Sequence, residues 1–124
     1  MKDGRLLRAL GWTLGLALVG SCQYGVADLP AVPESPTYNR DVRLLLGDHC
    51  FVCHASPPSR DAPSYFRLDV YDDAGSTLGA KTMASLILAD VESGKMPPAA
   101  KNGDGVGPNG IELLRRWVDQ GTPP

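Results

Sequence analysis

Tyr38, Val42, Leu45 and Leu46 recur at the spacing of one helix face, and the run opens directly after Pro36-Thr37. The pattern predicts a helix over 38–54. Periodicity then fails over 55–80, where prolines and afterwards glycines punctuate the chain, so this stretch reads as an irregular loop with a short extended piece at Phe66-Arg67-Leu68-Asp69. It returns in TMASLILADV, which predicts a helix over 81–92, and is lost again through PPAAKNGDGVGPNG. A last helix over 110–120 places Ile111, Leu114, Trp117 and Val118 on one face and turns Arg115 and Arg116 toward water. Asn109 followed by Glu112 predicts a capping-box-like start for it, and Gly121 a stop. The expected fold class is all-α, small, with three to four helices.

The chain has 124 residues, with 14 Gly and 11 Pro but only two Trp, four Tyr and two Phe. That length is one small domain, and a core so diluted by Gly and Pro buries limited apolar area. Something besides the core is expected to staple it. Upstream of the first predicted helix, Lys2, Arg5 and Arg8 precede the apolar stretch LGWTLGLALVG, the charge and length pattern of an export signal over 1–21 and too short for a comfortable membrane span. Val19-Gly20-Ser21-Cys22 follows, which resembles the lipobox of bacterial lipoproteins and implies acylation of Cys22 as the mature N-terminus. Gln23, a non-acidic residue after that Cys, implies by the same resemblance the periplasmic face of an outer membrane. Pro30, Pro33 and Pro36 make residues 23–36 read as an extended tether, at about 3.1 Å per residue a reach of roughly 40 Å. The expected organisation is thus a signal over 1–21, a lipidated tether over 22–36 and a folded domain over 37–124. Loss of Lys2, Asp3, Arg5 and Arg8 with the signal takes the net charge from -2 to -4. Phosphate backbones are repelled by such a surface, and no basic run interleaved with aromatics is present, so nucleic acid is excluded as a partner class.

Cys50-Phe51-Val52-Cys53-His54 is C-x-x-C-H, the attachment motif of c-type haem. One helical turn separates the thiols, so that each can form a thioether with one haem vinyl, and the adjacent His54 imidazole supplies the proximal ligand. A structural zinc site would need four ligands from His49, Cys50, Cys53 and His54, all within six positions, a cramped cage. No βαβ pattern surrounds the pair to suggest a thioredoxin-like site. A Cys50–Cys53 disulfide stays open at this level. With three Cys in an exported chain, acylation of Cys22 removes the odd thiol.

Candidates for the sixth iron position are Met83, Met96 and His49. Met83 lies inside a helical apolar stretch, where Met is more often packing. His49 shares the attachment helix and is poorly placed to reach the other haem face. Met96 sits in Gly94-Lys95-Met96-Pro97-Pro98, where two prolines forbid helix and hold an extended loop that can present a thioether. Met96 is the expected ligand; His/Met ligation leaves no open position and raises the reduction potential. Asn102-Gly103-Asp104-Gly105 hints at a calcium loop, but Val106 and Leu113 stand where oxygen ligands are required, so it reads as a flexible turn.

This order resembles the small cytochrome c domains often called planctomycete-type: Asp41-Val42-Arg43 leading into Cys50-Phe51-Val52-Cys53-His54, then Arg67-Leu68-Asp69, Lys95-Met96-Pro97-Pro98 and Leu114-Arg115-Arg116-Trp117-Val118-Asp119-Gln120-Gly121. The similarity spans about residues 38–122. It implies an all-α cytochrome c fold with one covalent haem c between the attachment helix and the Met96 loop. The function expected is single-electron transfer between redox proteins of the cell envelope, not enzymatic turnover. The rival is a haem enzyme or sensor whose sixth ligand is displaced by peroxide, NO or CO; a third, non-redox reading is a docking module. Arg67 is a candidate partner for a haem propionate, the alternative being a pair with Asp69. Trp117, on the apolar face of its helix, is expected to be core rather than an electron relay.

Overall fold

The computed structural model describes residues 31–98 and 105–124. Thr37 opens the first helical segment: its hydroxyl accepts the Arg40 N–H at 3.4 Å, and the Asp41 carboxylate accepts the Thr37 N–H at 2.8 Å. This reciprocal cap starts a π-type turn over Tyr38–Val42, which runs into α1 (Arg43–His49). The predicted single helix over 38–54 is interrupted at Cys50, whose φ of -120° departs from helical geometry, and resumes as α2 (Phe51–His54). Cys50 is still tied to both sides, its N–H donating to the Leu46 carbonyl and its carbonyl accepting from the N–H groups of Cys53 and His54.

Residues 55–79 contain no helix, as their Pro and Gly content predicts, and are organised by isolated bridges, Phe66 with Leu78 and Ala74 with Thr77. The second closes a tight turn around Gly75, at φ 61°. Asp73 then launches α3 (Ala80–Glu92), accepting the Gly79 N–H at 2.7 Å and the Thr82 hydroxyl at 3.0 Å. α4 (Gly107–Asp119) begins three residues earlier than expected, so Asn109 lies within its first turn and is not the N-cap; Val106 is. Pro108 explains the shift: its φ is preset for helix and it has no N–H to satisfy in the first turn. Glu112, freed from a capping role, pairs with Arg115 and Arg116 at 2.9 and 2.8 Å. The stop at Gly121 is as expected. Gly121 adopts φ 80°, its N–H donates to the Val118 carbonyl, and the Thr122 N–H reaches back to that of Trp117, the paired bonds of a Schellman motif.

Among the described residues there is no strand, and the fold is helical. Tyr38, Val42, Leu45 and Leu46 are buried together with Met83, Ala84, Ile87 and Val91 of α3 and Leu113, Leu114 and Trp117 of α4. Trp117 is fully buried beside Tyr38, ring centroids 6.2 Å apart, which makes it a core residue. Arg115 is exposed, whereas Arg116 is half-buried: it donates to the Val32 and Pro33 carbonyls, and Gln120 donates to that of Glu34. The last residues of the expected tether are therefore laid against α4. The export signal, Cys22, residues 23–30 and most of the 102–105 turn lie outside the described residues.

Candidate cofactor site

The helical break at Cys50 sets the site. Residues 50, 53 and 54 stand one turn apart, and Cys50, Cys53 and His54 all line one cavity of about 320 Å³. That volume is in the range of small-molecule and cofactor sites, about 300–1,000 Å³. Both thiols are free, so no disulfide joins them. Burial pushes the Cys50 thiol up to about 12, with the neighbouring Cys53 adding to the effect, and leaves it neutral at physiological pH. His54 is 8% exposed, and burial lowers its pKa, favouring the neutral imidazole that a metal requires. Its Nδ1 is buried with no hydrogen-bond partner, and its ring stacks on Phe66 with centroids 4.8 Å apart.

The chain after α2 holds this arrangement from behind. The His54 carbonyl accepts the Leu68 N–H at 2.9 Å, and the Leu68 carbonyl accepts the Tyr38 hydroxyl at 2.8 Å, so the first helical turn, His54 and the 66–68 segment are linked in series. Phe66 and Leu68 line the cavity, while Arg67 between them does not. Extended backbone alternates its side chains, and Arg67 is directed to Asp69, with Nε donating to Oδ1 at 2.9 Å and Nη2 to Oδ2. Of the two partners considered for Arg67, the structure pairs it with Asp69.

A different wall comes from α3 and the loop that follows. Met83, Leu86, Ile87 and Val91 line the cavity from α3. Gly94 ends that helix at φ 73°, and the Met96 N–H then folds back onto the Asp90 carbonyl at 3.0 Å. Lys95 closes the same loop, its Nζ on the Asp90 carboxylate at 3.0 and 3.2 Å. The clip brings Met96, Pro97 and Pro98 to the cavity. Met83 is at once core and cavity wall, so burial alone does not separate the two methionines. His49 lines the cavity too, from the end of α1.

Sequence reasoning missed Phe66 as the residue that stacks on His54 and the Asp90–Lys95 clip behind Met96. The alternation within the 66–69 element was the one available signal for Phe66. Nothing in the periodicity of α3 marks Asp90, whose role depends on where the chain turns after Gly94.

The residues present fit a covalently held haem. Two free thiols and a buried neutral imidazole with an orphaned nitrogen share a largely apolar cavity with a thioether from another segment. They do not fit a structural metal ion: among the described residues, no three His, Cys, Asp or Glu side chains are grouped to hold one. No family model, no curated protein and no solved structure matches the chain.

Proposed function

We propose that this chain is a monohaem c-type cytochrome of the kind its motifs resemble, an electron carrier rather than an enzyme. In this reading it is lipidated at Cys22 and tethered to the periplasmic face of a bacterial outer membrane, and its partners are redox proteins of the envelope. The observation that supports it best is that Cys50, Cys53, His54 and Met96 line one cavity, although the 55–79 loop and α3 separate the first three from the fourth. Bound there, haem supplies a one-electron ferric/ferrous couple.

The chain's own residues do the rest. Cys50 and Cys53 would hold the group covalently, and His54 and Met96 would ligate its iron. Tyr38 and Leu68 fix the backbone of His54, and the Asp90–Lys95 clip fixes that of Met96. Ile87 and Val91, both buried, would keep water from that wall, which favours the less charged ferrous state, as would thioether ligation.

Haem-peroxidase staining after denaturing electrophoresis tests the reading in protein exported through a haem-attachment system. The wild type is expected to give a stained band, and replacing both Cys50 and Cys53 by Ala to abolish it. Pigment held covalently by the double variant would overturn the assignment. Cys22→Ser tests the anchor separately: it is expected to leave the membrane pellet while keeping its haem, and retention in the pellet after signal cleavage would remove the lipoprotein part alone.

A further inference from the structure

A haem brings two carboxylates into a cavity whose walls are mostly apolar, and each needs a counter-charge or water. Three cations are close enough to consider. Arg67 does not line the cavity and is engaged in two-point contact with Asp69. Lys95 lines it but is bound to both oxygens of Asp90. Arg60 lines it, and among the described residues its side chain makes no hydrogen bond, ion pair or ring contact.

The backbone at Arg60 adds an independent reason. Arg60 and Asp61 have φ values of 54° and 64°, two successive non-glycine residues in the left-handed region, an arrangement that costs free energy and is kept where surrounding contacts impose it. Those contacts lead straight to the attachment motif. The Ser59 N–H donates to the Cys53 carbonyl at 3.1 Å, the Ser59 hydroxyl donates to the Val52 carbonyl at 2.6 Å, and the Ala62 N–H closes the turn on the Ser59 carbonyl at 3.0 Å. Arg60 is thus carried on a strained turn fastened to the helix that bears Cys53.

We propose that Arg60, rather than Arg67, is the residue that binds the carboxylate side chains of the cofactor. The inference rests on the haem reading of the site and assigns the anion-binding part of it. A planar guanidinium offers paired N–H donors to a carboxylate, and its charge keeps that carboxylate ionised in both oxidation states of the iron. Without its counter-charge the carboxyl pKa rises, more strongly beside ferrous than ferric iron, and the potential acquires a pH dependence. The other charged or titratable groups facing the cavity are His49 from α1, the Cys and His of the motif, Asp61 beside Arg60, Tyr65 from the same loop, and the Asp90–Lys95 pair. Asp61 makes no ion pair with Arg60, and Asp90 is already engaged.

The test is a redox titration of the haem-loaded protein between about pH 5 and pH 8, the window into which a carboxyl deprived of its counter-charge moves. Arg60→Gln is expected to retain covalent haem, to lower the potential at neutral pH and to make it fall further as pH rises. Arg60→Lys is expected to restore most of the wild-type profile, and Arg67→Gln to leave the shape of the profile unchanged. Asp61→Asn controls for the neighbouring carboxylate and is expected to introduce no slope. A wild-type profile in Arg60→Gln, or the new slope in Arg67→Gln instead, would overturn the assignment while leaving the haem reading intact. Absence of covalent haem in the wild type would overturn both.

Discussion

Single side chains divide here into those that meet the cavity and those that hold the backbone behind it. Met96 belongs to the first group. In the proposed haem reading Met96→Ala removes only a thioether ligand, so covalent attachment is expected to survive while the near-red sulfur-to-iron band disappears, the reduction potential falls and CO binds the reduced protein. The same measurements on Met83→Ala are expected to give a wild-type spectrum, and the opposite outcome would move the ligand role to α3. Arg67 and Asp69 belong to the second group. The Arg67 guanidinium holds the Asp69 carboxyl below its ordinary 3.8, so the folded form binds a proton less readily than the unfolded chain. The stability this contributes is fully present above 3.8 and is lost as pH falls through the lower, folded value. Urea unfolding of wild type and Arg67→Gln is therefore expected to show a gap near neutral pH that narrows on acidification below 3.8. Because the pair is partly exposed, solvent screens it and the gap is small.

Whole elements are positioned by close approaches that a side chain would block. Gly79 precedes α3, and a Cβ there would come to 2.4 Å from the Tyr71 carbonyl oxygen and 2.5 Å from that of Asp72. These are backbone atoms, and they are pinned: the Ala80 and Lys81 N–H groups bond the Val70 and Tyr71 carbonyls. Gly79→Ala is expected to cost about 1–3 kcal/mol in chemical denaturation, because the start of α3 must move away from the 70–72 segment. The helical faces were legible from spacing in large part: Tyr38, Val42, Leu45 and Leu46 are all nearly fully buried, as are Leu114 and Trp117, but Ile111 and Val118 of the same expected face are only half-buried, and Leu113, not placed on it, is fully buried. Helix boundaries were less so. The break at Cys50 and the early start at Gly107 depend on how the chain must turn into the cavity and on Pro108, neither of which alters the apolar period.

Across the whole molecule, the two ends of the folded unit are sewn together. The Pro123 carbonyl accepts both the Tyr38 N–H and the Trp117 Nε1–H at 2.9 Å, and the Thr122 carbonyl accepts the Tyr71 hydroxyl at 2.6 Å. Deleting residues 122–124 would leave three donors without these partners in or beside the core, each costing about 1–3 kcal/mol. A markedly lower melting temperature with an unchanged haem spectrum is expected, since none of the three lines the cavity. A spectrum that changed with the truncation would mean that the end-to-end closure also sets the site.

What the sequence determined by itself is what depends on near neighbours. The spacing of Cys50, Cys53 and His54 is local, and one helical turn is enough to bring them to a common cavity. The apolar periods of 38–46, 81–92 and 110–120 name most of the buried positions because burial follows the helical repeat, although the face of the last helix is turned toward Leu113. Charge partners follow no such repeat. Arg67 could be read as facing a cofactor or Asp69, and only the course of the 66–69 backbone chose Asp69. Arg116 read as solvated and is held instead by carbonyls more than eighty positions away. The Asp90–Lys95 clip and the strained turn at Arg60 exist because distant segments converge on one cavity. Such convergence is decided by the packing of α1, α3 and α4 and leaves no periodic trace in the chain.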